Sequence, residues 1–258
     1  MDLIFFCGQS NMQGQSECLS ECETVAGAYE YKFLSDALVP LKNPVGEDIT
    51  YDLRAGYAYS ERVSAKEWRA KHALGSACYG HTNLVPAFCR AYTAHTKREV
   101  VAAHMAKGST EITDWLPGTP NYSVLKRKAK AAIQKVSPER IFLVWLQGES
   151  DAIAGRKKNE YKRLLTDFCN DLQINIGIER FGIIRVGRFT KDARDTEIIE
   201  AQDEICEENE MFLMLTALAT ELNSSSEYMH PTIGGHFSAR GLEILGAAAG
   251  EALAKSKI

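Results

Sequence analysis

The sequence predicts a three-layer, doubly wound α/β fold: a parallel sheet of about five strands with helices on both faces. Three observations lead there. Five short apolar runs, rich in Ile, Val and Phe, recur along the chain, as strands covered on both faces do. Segments with apolar residues at helical spacing lie between them, and such alternation implies right-handed crossovers in one sheet. The chain has 258 residues, 45% hydrophobic and 25% charged, which suits an ordinary globular domain with one core.

The elements follow in order. The first run is Leu3–Cys7. Leu84, Val85, Phe88 and Tyr92 mark a helix around 83–96, and Val100–Met105 is the second strand. Val124, Leu125, Ala129, Ile133 and Val136 mark a helix around 122–136, before the run Ile141–Gln147. Tyr161, Leu164, Leu165, Phe168 and Leu172 mark one around 158–174, before Phe181–Gly187. A helix from about Asp195 to Glu208 precedes Met211–Ala217. The last helix spans roughly Ser238–Lys255, with Leu242, Leu245, Ala249 and Leu253 on one stripe and Ser238 as a suitable N-cap. Residues 18–80 break the pattern, with Pro40, Pro44, several glycines and no clear alternation. They read as a long insertion after the first strand, partly helical near Ala55–Arg69, and insertions of that length are often functional. No repeat or linker stands out, so residues 1–258 read as one domain.

Composition excludes several classes. Lys+Arg 30 against Asp+Glu 34 gives a net charge of −4, which argues against a nucleic-acid binder relying on a large basic face. The longest apolar run, Ile141–Leu146, is far short of the roughly 18 residues that span a bilayer. Asp2 follows Met1 with no basic segment and only a short apolar stretch, unlike a signal peptide. The seven cysteines (Cys7, Cys18, Cys22, Cys78, Cys89, Cys169 and Cys206) are odd in number and scattered, unlike a disulfide framework. Cys18 and Cys22 lack the two further ligands a structural metal needs. A reducing, cytoplasmic compartment and no metal are the expectations.

In an open α/β sheet, ligands bind beyond the carboxyl ends of the strands. After the first strand comes Gly8-Gln9-Ser10-Asn11-Met12-Gln13-Gly14. A sharp turn here can expose a hydroxyl and aim backbone N–H groups at a developing oxyanion; the same residues also suit a plain turn. After the second strand comes Lys107-Gly108-Ser109-Thr110, then Asp114-Trp115. Its lysine lies on the wrong side of the glycine for a phosphate loop. After the third comes Gln147-Gly148-Glu149-Ser150-Asp151. Its glutamine can donate to an oxyanion. Its two acids suit a helix N-terminus or a carboxylate pair for glycoside hydrolysis. Near the C-terminus, His236 stands between Gly234-Gly235 and the last helix, where a general base can work. His72, His81 and His95 read as surface groups, and His104 as a hydrogen-bonded core residue.

These four segments, in this order, resemble the SGNH (GDSL-type) hydrolases, in particular the carbohydrate-esterase branch of acetylxylan esterases and sialate O-acetylesterase-like proteins. Gly8-Gln9-Ser10-Asn11-Met12, Gly108, Gln147-Gly148-Glu149-Ser150-Asp151 and His236-Phe237-Ser238-Ala239-Arg240-Gly241 carry the resemblance, and Leu38–Glu47 also looks like that branch. The resemblance implies a flavodoxin-like SGNH hydrolase fold and serine-dependent hydrolysis of acetyl esters on small or oligomeric sugars, of xylo-oligosaccharide or sialic-acid type. Ser10 would be the nucleophile and His236 the base. Ser10 N–H, Gly108 N–H and the Gln147 amide would hold the oxyanion. Gln9, Asn11 and Trp115 would touch substrate, and no cofactor is implied. The family often has an aspartate three residues before the histidine, where this chain has Ile233. A backbone carbonyl could then orient the imidazole, or a carboxylate from elsewhere; Glu149 is the candidate, ahead of Asp151 and Asp114. A short-chain or lipid acyl hydrolase, or a catalytically weak carbohydrate-binding relative, are the alternatives.

Overall fold

The computed structural model describes residues 1–17, 19, 21–47 and 82–256. Seven strands form one sheet: β1 (Asp2–Gly8), β2 (Ala28–Lys32), β3 (Ala37–Pro40), β4 (Val100–Ala106), β5 (Arg140–Leu146), β6 (Arg180–Ile184) and β7 (Phe212–Thr216). Their spatial order is β3-β2-β4-β1-β5-β6-β7. The parallel strands β4-β1-β5-β6-β7 are the five apolar runs of the sequence, and every residue of β1 and β4 is buried. The direction of crossover reverses at β1, which creates a switch point there.

The sheet is larger than the sequence suggests. Residues 28–40, read as part of an insertion, form a hairpin whose β2 pairs parallel with β4 and antiparallel with β3. The reason it escaped is Glu30, a buried acid in mid-strand. Lys32 Nζ at 2.7 Å and the Gly46 N–H at 2.8 Å meet its carboxylate. A charge inside a strand breaks the apolar run on which the reading relies. The helix expected near Ala55–Arg69 lies outside the described residues, as do Cys18, Cys78, His72 and His81.

Helices cover both faces: α1 (Ser10–Gln13), α2 (Val85–Thr96), α3 (Pro120–Val136), α4 (Glu149–Ala154), α5 (Lys158–Ile176), α6 (Ala193–Glu208), α7 (Ala219–Leu222) and α8 (Ala239–Lys255). α2 packs along α8, while α3 meets α5 and α5 meets α6. Ser238 caps α8 by accepting the Gly241 N–H at 3.2 Å, as its residue type suggests. The core centres on Trp145, whose ring lies 5.5 Å from Trp115, 5.3 Å from Phe168 and 6.0 Å from Phe181.

At the amino end of the sheet, buried Asp2 binds Arg98 Nη2 and Arg140 Nη2 at 2.8 and 2.7 Å and accepts the Tyr92 hydroxyl at 2.6 Å. Burial alone would push this carboxyl up, but those hydrogen bonds outweigh it and hold its pKa at about 2. The cluster fastens β1, α2 and β5 at the end of the sheet opposite the site. Among the described residues no helix is long and apolar enough to cross a membrane. Cys7, Cys22, Cys89, Cys169 and Cys206 are free thiols.

Candidate active site

The strand register sets Gly8 beside Ala106 on one side and Leu146 on the other. The loops that follow these three residues therefore open at one edge of the sheet. Ser10 begins the single turn α1 directly after β1, and only 7% of it is exposed. As the first residue of that turn, its N–H has no acceptor within the helix.

The residues around Ser10 are tied to the start of α4, to the His236 loop, to β4 and to the Gly108 turn. Gln9 Oε1 accepts the Gly148 and Ser150 N–H groups at 3.4 and 3.3 Å. Asn11 Nδ2 donates to Glu149 Oε1 at 2.8 Å and to the Gly235 carbonyl at 3.4 Å, while its Oδ1 accepts the Phe237 N–H at 3.1 Å. The Met12 carbonyl accepts from His104 Nε2 at 3.0 Å. Gln13 Oε1 accepts the Gly108 N–H at 2.8 Å. His104 is the hydrogen-bonded core residue expected, and burial pushes its pKa down to about 4.

Asn11 thus grips the residues on both sides of His236, which brings the imidazole loop to the serine turn. His236 Nδ1 lies 2.9 Å from the Gly234 carbonyl. A carbonyl only accepts, so the proton is on Nδ1 and Nε2 carries the free lone pair. That Nε2 is shielded from solvent and has no partner among the described residues. Burial lowers the imidazole pKa; the Gly234 hydrogen bond opposes this, and nearby His230 adds to it. His230 also shapes the turn. Its N–H donates to the His236 carbonyl at 2.7 Å, and its Nδ1 accepts the Thr232 and Ile233 N–H groups at 3.1 and 3.0 Å.

Several expected site residues do something else. Glu149 is buried, but it contacts Asn11 and not His236; its Oε2 has no partner among the described residues. The Gly234 carbonyl holds the imidazole instead. Gln147 is fully buried and donates through Nε2 to the Thr110 carbonyl at 2.8 Å and to Asp151 Oδ2 at 2.5 Å. Both amide hydrogens are therefore committed, and neither is free for an oxyanion. Gly108 does line the serine, since a Cβ there would sit 3.5 Å from Ser10 Cβ, but its N–H is held by Gln13. Trp115 is wholly buried, donates to Thr110 Oγ1 at 3.0 Å and meets Trp145 edge to face. It is core, not a sugar platform. Gln9 and Asn11 are tethers rather than surfaces open to substrate. Asp151 is a buried anchor for the Ile112 N–H at 2.9 Å and for Arg156, and Asp114 accepts the Glu111 N–H at 2.9 Å. The sequence locates the strand ends but not the direction in which each side chain points. It also gave no sign of the roles of Gln13 and His230, since neither partner lies at a telling spacing.

Among the described residues no group of three or more His, Cys, Asp or Glu side chains is arranged to hold a metal.

A family model described as SASA, "Carbohydrate esterase, sialic acid-specific acetylesterase", matches residues 1–255. No curated protein matches the sequence significantly. Among solved structures, a protein from Arabidopsis thaliana superposes with a TM-score of 0.68 at 15% identity, covering 98% of each chain. NanS gives 0.61 at 14% identity, with 97% of this chain and 96% of that one covered. A catalytic mutant of Axe2, an acetylxylan esterase from Geobacillus stearothermophilus, gives 0.50 at 11% identity, with 96% and 91% covered. At such identities the likeness establishes a common fold, including the mostly parallel sheet flanked by helices. Because the family match runs over almost its whole length, the chain belongs to the carbohydrate esterase family of sialic acid-specific acetylesterases.

Proposed function

We propose that this esterase removes acetyl groups from sugar hydroxyls through a Ser10–His236 dyad. Ser10 Oγ attacks the ester carbonyl while His236 Nε2 takes its proton. The tetrahedral intermediate expels the sugar oxygen, which leaves with the proton from Nε2. Water then attacks the acetyl-serine by the same route, releasing acetate and restoring the hydroxyl. The Gly234 carbonyl orients the imidazole in the role usually given to a carboxylate. The oxyanion takes the Ser10 N–H, and it gains the Gly108 N–H when the Gln13 side chain gives that donor up. Gln147 braces the floor beneath.

The observation that carries this reading is the Asn11 grip on Gly235 and Phe237, beside an Nε2 with no partner among the described residues. The family supports an acetylated sugar of sialic-acid type as substrate, and the likeness to an acetylxylan esterase supports one of xylo-oligosaccharide type. The free thiols support a reducing, cytoplasmic setting and small acetylated sugars rather than polymer. All described strands join one sheet, in keeping with one domain over residues 1–258. The test is Ser10→Ala: acetate release from p-nitrophenyl acetate and from an O-acetylated sugar should vanish, and so should labelling by a fluorophosphonate, with the circular dichroism spectrum unchanged. Undiminished hydrolysis in that variant would sink the nucleophile assignment. A preference for acyl chains longer than butyryl would overturn the acetyl reading.

A further inference from the structure

We propose that Glu149 is a positioning residue that acts through the Asn11 side chain to hold the His236 loop, compensating for the isoleucine at position 233. The inference rests on the Ser10–His236 reading above.

The geometry is a short chain of hydrogen bonds. Glu149 Oε1 accepts Asn11 Nδ2 at 2.8 Å, the shortest of the three Asn11 bonds. This fixes which end of the planar amide is nitrogen. With Nδ2 turned to Glu149, Oδ1 is turned to the Phe237 N–H and the second Nδ2 hydrogen to the Gly235 carbonyl. A reversed amide would set N–H against N–H at Phe237 and oxygen against oxygen at Gly235. Glu149 thereby braces the Asn11 amide in the one polarity with which it clasps the residues flanking His236. The acid is buried, 4% exposed, at the start of α4 behind the end of β5.

Nothing in this role needs a negative charge. Burial raises the Glu149 pKa, the Asn11 hydrogen bond opposes that, and the Asp151 and Asp195 carboxylates add to it. A neutral acid still offers Oε1 as an acceptor, and so does a glutamine. A carboxylate bonded directly to the imidazole would behave otherwise, because its charge would be its function.

The test reads the imidazole itself. In protein labelled with 15N-histidine, NMR should report wild-type His236 as the Nδ1–H tautomer. Asn11→Ala, Asn11→Asp and Glu149→Ala should each lose that single tautomer. Each should also lower kcat by about 10- to 100-fold, as expected for a misplaced base, with KM unchanged. The double variant Asn11→Ala/Glu149→Ala should be no worse than Asn11→Ala alone. Glu149→Gln should keep both the tautomer and most of kcat. Melting curves identify any variant that fails to fold, and Asn11→Asp, which keeps the size of the side chain, decides the matter where the alanine variants do. An unchanged tautomer in Asn11→Asp and Glu149→Ala would overturn the proposal, as would a Glu149→Gln variant as impaired as Glu149→Ala. The spectra read His236 whether or not esters are hydrolysed. An inactive wild type with the expected spectra would therefore refute the esterase reading and not this one.

Discussion

Replacing Gly235 with alanine should disable the enzyme without unfolding it. Gly235 has φ +76°, and a Cβ there would lie 1.9 Å from Phe189 Cε2 and 2.6 Å from its Cδ2 and Cζ. The left-handed backbone costs a non-glycine residue about 1–2 kcal/mol. Carbon atoms pack at about 3.5–4.0 Å, so the ring must withdraw, and overpacking of this kind costs about 1–3 kcal/mol. Together these disfavour the native turn by about 2–5 kcal/mol. Phe189 is half-buried on a loop, so the strain falls on the turn bearing His236 rather than on the core. At 1.36 kcal/mol per factor of ten, kcat/KM should drop by about 30- to 5,000-fold. Phe189→Ala in the same chain removes the overlap and leaves only the backbone cost, a loss of about 5- to 30-fold. The assay is kcat/KM on p-nitrophenyl acetate beside a melting curve for each variant. A Gly235→Ala enzyme with wild-type kcat/KM would show that the turn tolerates a side chain there, and a double variant no better than the single one would clear Phe189 of the overlap.

Three further outcomes follow from the same geometry. The base must be neutral and burial lowers the His236 pKa, so kcat/KM should fall with acid around a midpoint below about 6.5; a pH–rate profile with its acid limb above that value contradicts the assignment. Asp2→Asn should destabilise the fold at pH 7 by about 3 kcal/mol in urea titrations. Because the folded Asp2 pKa is depressed to about 2, that contribution is full above the ordinary carboxylate range and is lost as pH falls through about 2; a difference persisting below pH 2 counts against it. Trp115→Phe should cost about 1–3 kcal/mol of stability and leave KM for acetylated sugars unchanged. A several-fold rise in KM with an unaltered melting temperature would restore Trp115 to the substrate pocket.

How far the sequence could be read depended on whether an element advertises its own environment. Strands buried on both faces are apolar along most of their length, so β1, β4, β5, β6 and β7 stand out as runs, and the helices between them as stripes. β2 was hidden because its buried Glu30 is satisfied by Lys32 and by Gly46 from a later loop. A similar pair, Lys128 on α3 and Glu47, is buried at 2.5 Å with both residues far apart in the chain. Neither looks like core until its partner is known.

The site divides in the same way. The fold class, the family and the two residues proposed to carry the chemistry are legible along the chain, because a serine turn after the first strand and a histidine before the last helix keep their places in it. What the remaining polar side chains do emerges only when the chain folds. Gln147 points to Thr110 and Asp151, Trp115 into the core, Glu149 to Asn11, and the imidazole leans on the Gly234 carbonyl. A buried amide or carboxylate takes its direction from the partner that satisfies it. Asn11 meets Glu149 and Phe237 across 138 and 226 positions of chain, a distance that only folding closes.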